Sequence, residues 1–242
     1  MRCHMSGEPS SDSPTRAEQQ EQASSNRAMF DVVAPHYDLL NRLMSLGMDA
    51  RWRRTLVELS EVTPGCRALD LCCGTGAVTR ELSERGAQTV GLDASAQMLA
   101  VAQHQKGPIA YVQGDALNTP FPDCTFDIVT IAFGNRNVAS LPALFQEMWR
   151  IAKPGGRVAS LEITGPTSPW LRRLFFLYFA YLPPLMARLL GADLRAYNYL
   201  PDSVRRYPEP NAIASLMCDA GLRDVAIHQL LAGAVVIHRG IR

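Results

Sequence analysis

Ala68-Leu-Asp-Leu-Cys-Cys-Gly-Thr-Gly76 decides the fold of this chain. It reads as a buried strand ending in a loop built on Gly74 and Gly76, where the missing Cβ lets backbone N–H groups come close to a ligand. Seventeen residues after Gly76, the apolar run Thr89-Val-Gly-Leu-Asp93 ends in a carboxylate. A glycine loop after one strand and an acid at the tip of the next hold a nucleoside-bearing cofactor. Several cofactors carry a ribose, so the choice among them rests on the rest of the chain.

Outward from that loop, strands are expected near 67–72, 88–92, 109–113, 126–132 and 157–163, with helices near 76–85, 95–104 and 142–151. Such alternation implies a doubly wound, mostly parallel α/β sheet. Lys153-Pro-Gly-Gly156 reads as a turn before the fifth strand. Upstream, apolar residues at helical spacing from Met29 to Leu59 are interrupted by Pro35 and Gly47, giving two or three helical pieces. Near the end, Val225–Leu231 and Ala234–Arg239 flank a tight turn and form a hairpin that adds antiparallel strands, seven in all. Residues 1–26, rich in Ser, Gln, Glu and Pro without an apolar run, read as a disordered tail, neither signal peptide nor anchor. Residues 27–242 form one domain, with N-terminal helices over 27–62 and a helical insert over 166–210.

The chain has 242 residues, with 24 basic and 23 acidic side chains. A net charge of +1 offers no electrostatic footprint for nucleic acid. The 6 cysteines include no C-x-x-C pair and no zinc-like grouping, so no metal is expected and buried free thiols are the simple reading.

The loop lacks the third glycine that a dinucleotide fingerprint uses for helix packing. Asp70 would repel a pyrophosphate, but suits a cofactor with an α-amino group and a sulfonium, as in S-adenosylmethionine. Asp70 has a second reading, support of the glycine loop through hydrogen bonds to backbone N–H groups. Asp93 suits both ribose hydroxyls and is also placed to cap the following helix. Gly114-Asp115-Ala116, after the third strand, offers a carboxylate and backbone groups to an adenine, though Gly-Asp is also a common turn.

Together these pieces resemble the class I methyltransferases, a Rossmann-like fold. Several segments then point closer: Phe30-Asp-Val-Val-Ala-Pro-His-Tyr-Asp38, Pro120-Phe-Pro-Asp-Cys-Thr-Phe-Asp127, Ala132-Phe-Gly-Asn-Arg-Asn-Val138, Tyr197-Asn-Tyr-Leu200 and Ile237-His-Arg-Gly240. From about residue 27 to the end the chain resembles the ubiquinone/menaquinone biosynthesis C-methyltransferases (UbiE/MenG). The resemblance implies S-adenosylmethionine as cofactor, held at Thr75, Asp93, Asp115 and Ala116, with Gly74, Gly76 and Asp70 shaping the loop end. One further cofactor contact falls on Ala132, where a serine is usual, so only the backbone serves there; the other departure is Ala77, where an aspartate is common. The implied reaction is methylation of a ring carbon of a polyprenylated quinol, either demethylmenaquinol or a methoxy-polyprenyl-benzoquinol. The setting is cytoplasmic and peripheral to the inner face of the membrane, and a homo-oligomeric assembly stays open.

Ring carbon is a weak nucleophile until a neighbouring hydroxyl ionises, so the site must stabilise a phenolate and align the reactants. Arg136 suits the phenolate, and Asn137 a quinol oxygen or a water; a salt bridge closing the strand-four loop is the other reading of Arg136. Tyr37, Tyr197 and Tyr199 are candidates for ring contact or for aromatic packing. His238 is a candidate general base or a structural histidine, and Glu162 is a weaker candidate at the same rim. Between Arg173 and Arg188 lie fourteen uncharged residues interrupted by Pro183-Pro184, too few to span a bilayer. Phe175 and Phe176 there suit a lid or interfacial element for an isoprenoid tail, or a core-facing helix pair. Two other functions stay open: methylation of a soluble small molecule, which would share the cofactor motifs, and a nucleotide-binding or oxidoreductase module, disfavoured by the missing glycine.

Overall fold

In the computed structural model, residues 28–242 are described apart from 33, 105, 106, 108 and 191–200. Seven strands form one sheet: β1 (Arg67–Leu71), β2 (Gln88–Asp93), β3 (Ala110–Gln113), β4 (Phe126–Ala132), β5 (Ala152–Ile163), β6 (Arg223–Leu230) and β7 (Val235–Ile241). Their order is β3-β2-β1-β4-β5-β7-β6. β1 pairs in parallel with β2 and β4, while β7 runs antiparallel between β5 and β6. Central parallel strands are covered on both faces and therefore read as unbroken apolar runs; in β1, Ala68 to Leu71 are all buried.

The helices that frame the sheet include α1 (Tyr37–Met44), α2 (Met48–Leu59), α3 (Ala77–Glu84), α4 (Ala96–Gln103), α5 (Leu141–Ile151), α6 (Pro169–Leu190) and α7 (Pro210–Asp219). Strand alternation splits the core in two. Leu69 and Leu71 join Phe145, Met148, Ile213 and Met217 beneath α5 and α7. Ala68 joins Leu56, Val57, Val78, Leu82 and Ile237 beneath α2 and α3. Truncating fully buried Phe145 to Ala would cost about 3–5 kcal/mol.

Local chemistry sets the element ends. Ser95 caps α4 by accepting from Met98 N at 3.1 Å, and Ser140 caps α5 by accepting from Ala143 N at 3.3 Å. Asp93 therefore does not cap α4. Gly47, at φ 77°, divides α1 from α2. The expected turn at Lys153–Gly156 lies within the span of β5, because Gly155 N donates to Arg242 O and Arg242 N to Gly156 O, so the chain end pairs with it. β5 still slips register against β4 between Phe126 and Ile128. The expected break at Pro183-Pro184 is absent: α6 continues through both.

Candidate active site

The sheet reverses winding direction between β1 and β4, and open α/β sheets bind ligands in the crevice outside that point. A cavity of about 880 Å³ lies there. Its wall includes Tyr37, Gly74, Asp93, Asp115, Ala116, Ala132, Gly134 and Asn137. Asp93 orders two loops at once: Oδ2 accepts from Gly74 N and Oδ1 from Ser95 N, each at 2.8 Å. Burial pushes its carboxyl pKa upward, and those N–H groups oppose the shift. Gly114 N donates to Asp93 O at 3.0 Å, and Asp115 Oδ1 accepts from Leu117 N at 2.9 Å.

Thr75 and Gly76 continue the loop behind this wall. Thr75 is buried, and its hydroxyl donates to Asp38 Oδ1 at 2.6 Å, tying α1 to the loop. Gly76 has φ 82°, and a Cβ there would meet the Tyr111 hydroxyl at 2.5 Å. Asp70 does not reach the cavity. Its carboxylate accepts from Thr79 Oγ1 at 2.7 Å and Thr130 Oγ1 at 2.9 Å, and burial pushes its pKa up to about 6. Both partners are side-chain hydroxyls, where the support reading had backbone N–H donors.

A second, smaller and mainly apolar cavity of about 270 Å³ shares Tyr37 and Phe133 with the first. Phe175, Tyr178 and Phe179 of α6 line it, with Asp49 and Arg53 of α2, Arg136, and Val235 of β7. Arg136 forms an ion pair with Glu162 at the end of β5; their side chains are 7% and 0% exposed. Glu162 Oε2 also accepts from Arg136 N at 3.3 Å, and burial raises the Glu162 pKa against the pull of Arg136. The salt bridge therefore exists, and Arg136 also faces the cavity. Asn137 is on the other side, in the wall of the large cavity, with Nδ2 donating to Phe133 O at 3.4 Å.

Other candidates lie elsewhere. His238 is fully buried on β7, lines neither cavity, and has Nε2 2.9 Å from Pro210 O; burial lowers its pKa. The structure thus separates His238 from the expected base position. Tyr197 and Tyr199 lie outside the described residues. Among the described residues no group of three or more His, Cys, Asp or Glu is placed to hold a metal. Burial raises the pKa of Cys72 and Cys73, both free thiols.

Sequence reasoning missed Asp49, Arg53 and the role of Phe133. Phe133 sits at φ 60°, a region that a bulky side chain rarely adopts, with its ring in both cavity walls. Nothing in its one-dimensional context signals this.

A seven-stranded sheet with an inserted antiparallel strand, and a glycine loop hydrogen-bonded to the carboxylate that ends the next strand, defines the class I methyltransferases. A methyltransferase structure from Thermotoga maritima, 18% identical, superposes with a TM-score of 0.61 over 88% of this chain and 99% of that one. The chain belongs to the ubiE/COQ5 methyltransferase family, whose model matches residues 17–242. It is 42% identical to a demethylmenaquinone methyltransferase of Roseiflexus sp. over 88% of this chain and 92% of that protein. It is 41% identical to the ubiquinone/menaquinone biosynthesis C-methyltransferase UbiE of Pseudomonas syringae pv. tomato, over 88% and 87% respectively.

Proposed function

We propose that this chain methylates a ring carbon of a polyprenylated quinol, demethylmenaquinol or a methoxy-polyprenyl-benzoquinol, with S-adenosylmethionine as donor. The observation that carries the reading is that a large cavity with carboxylates and apolar groups in its wall and a small, mainly apolar one adjoin, with Tyr37 and Phe133 common to both. The large cavity fits the donor: it has the volume for an adenosyl group, a carboxylate pre-oriented by two backbone N–H groups, and Gly74 without a Cβ in its wall. When bound, S-adenosylmethionine supplies an electrophilic methyl and a neutral thioether leaving group.

The chain's own residues supply the rest. Asp93 takes the ribose hydroxyls, Asp115 and Ala116 the adenine, and Gly74 the amino-acid end, while Thr75 holds the loop from behind through Asp38. At Ala132 only the backbone is offered. Asp70 holds β1 and β4 to α3 through Thr130 and Thr79 and so keeps the loop in place. Arg136, oriented by Glu162, stabilises a quinolate oxygen in the small cavity, and Asn137, in the wall of the large one, meets the acceptor where the two cavities adjoin. Tyr37 divides donor from acceptor and excludes water.

The isoprenoid tail leaves past α6, which also meets the membrane surface. One face of α6 presents Trp170, Leu174, Leu177 and Tyr181 to the outside, between 45% and 71% exposed, while Phe175, Tyr178 and Phe179 line the cavity. No helix of the described residues is long and apolar enough to cross a membrane. A peripheral position on the cytoplasmic side follows from this reading.

The test is incubation with S-adenosylmethionine carrying a deuterated methyl and each demethylated quinol in turn. A mass shift on one or both is expected. Labelling of neither, with the cofactor bound, would overturn the acceptor and favour a soluble one.

A further inference from the structure

Phe133 stands between the two cavities, and the chemistry above leaves the side chain that holds its ring unused. The Arg53 guanidinium lies over that ring at 5.4 Å, and Trp52 meets the ring edge-on at 6.5 Å. Arg53 is ion-paired with Asp49 one turn earlier, at 14% and 11% side-chain exposure. Asp49 Oδ1 in turn accepts from Ser45 Oγ at 2.7 Å. All three residues line the small cavity.

Burying an ion pair in an apolar cavity is at best near break-even for stability, and an apolar side chain would pack on Phe133 without that desolvation cost. The arrangement therefore points to a ligand rather than to packing. Tyr37 reports what a phenol meets in this cavity. Burial raises its pKa, and among the groups opposing that rise Arg53 comes first, ahead of Arg136.

On the quinol reading, we infer that Arg53 is a second catalytic guanidinium, aimed by Asp49 and Ser45, that binds the ionised acceptor oxygen above the Phe133 ring. The acceptor O–H bond breaks, the proton leaves to water, and the electron pair stays on the oxygen beside Arg53. Arg136 and Arg53 reach the cavity from different elements, the strand-four loop and α2, so the site holds a quinolate between two planar cations, each with its own carboxylate. The charged groups that face the cavity among the described residues are Asp49, Arg53 and Arg136, beside the Tyr37 and Tyr178 phenols, with Glu162 behind Arg136.

The experiment pairs turnover with a titration that needs no donor. A naphthol, whose neutral and ionised forms differ in absorbance, is titrated on the cofactor-free protein and on Arg53→Gln, Arg53→Lys and the double variant Asp49→Asn/Arg53→Gln. The double variant leaves no unpaired carboxylate and guards against misfolding, which thermal denaturation checks. Burial raises the pKa of a bound phenol and Arg53 opposes that rise, so the bound naphthol should ionise about one pKa unit higher in Arg53→Gln and in the double variant than in the native protein, with Arg53→Lys between. In turnover, kcat should fall about a hundredfold in Arg53→Gln, with donor affinity unchanged. An unchanged naphthol pKa and kcat in the folded double variant would overturn the inference, as would failure of the native protein to bind naphthol. If the native protein methylates no quinol, the quinol reading fails, and the naphthol titration still decides the role of Arg53.

Discussion

Arg136 and Glu162 form a buried ion pair that joins the loop after β4 to the end of β5, with both side chains almost wholly withdrawn from solvent. Removing one member leaves the other charge uncompensated in a low-dielectric setting. Glu162→Gln should therefore lower stability by about 3–5 kcal/mol, seen as a drop in urea midpoint. Methyl transfer should also fall, since Arg136 loses its orienting partner. A variant with native stability would show that the pair is not structurally coupled.

Asp70 carries a pH signature. Its carboxyl rises from 3.8 to about 6 through burial, so the folded chain holds that proton more tightly than the unfolded chain does. Its contribution to stability is full below the unfolded value and is lost as pH rises through about 6. Asp70→Asn resembles the protonated form. The stability difference between native protein and variant should move toward the variant between about pH 4 and pH 7, by at most on the order of 3 kcal/mol. A difference constant across that range would remove Asp70 from the account.

Gly134 is bound to its neighbour by space. A Cβ there would meet Cys72 Cβ at 2.6 Å, and Cys72 itself sits at φ 50°. Gly134→Ala should cost about 1–3 kcal/mol and weaken donor binding by calorimetry. Adding Cys72→Gly removes the clashing atom and also the strain of a side chain at positive φ, so the double variant should recover most of both losses. Additive damage would refute the contact.

The two faces of α6 should separate in experiment. Leu174→Ser/Leu177→Ser should weaken partitioning onto anionic vesicles by about tenfold or more, as two half-exposed leucines lose their apolar burial. Phe175→Ser, in the cavity wall, should raise KM for a long-tailed acceptor and leave vesicle binding alone. The opposite pattern would reverse the assignment of the faces.

His238→Gln should lower the melting temperature while the pH profile of kcat keeps its shape, because the imidazole bonds Pro210 O beneath α7 and meets no cavity. A lost or displaced limb would restore it as the base.

The glycine-loop side of the large cavity was legible because it is local. Gly74 and Asp93 each follow directly from a strand with a clear apolar pattern, and the loop after such a strand lies at the crevice by topology alone. The strand boundaries from β1 to β4 fall within a residue or so of their expected places for the same reason. Side-chain parity was harder. Asp70 shares its strand face with Ala68, toward α3, where it meets Thr79, while its neighbours Leu69 and Leu71 face the core beneath α5 and α7. His238 likewise has the opposite parity to Val235, which does line the acceptor cavity. Arg53 and Asp49 stayed hidden because their partner, Phe133, is distant in the sequence, and no periodicity encodes that meeting. The pairing of Arg242 with Gly155 and Gly156 was equally invisible, since it joins a chain end to a presumed turn.

The insertion of β7 between β5 and β6 also sets an asymmetry between the two cavities. Among the described residues the wall of the large cavity is drawn from Phe30 to Ala143, entirely ahead of β5 in the chain, whereas Val235 of β7 closes part of the small one. Damage to the terminal hairpin should therefore reach the small cavity directly and the large one only through the sheet.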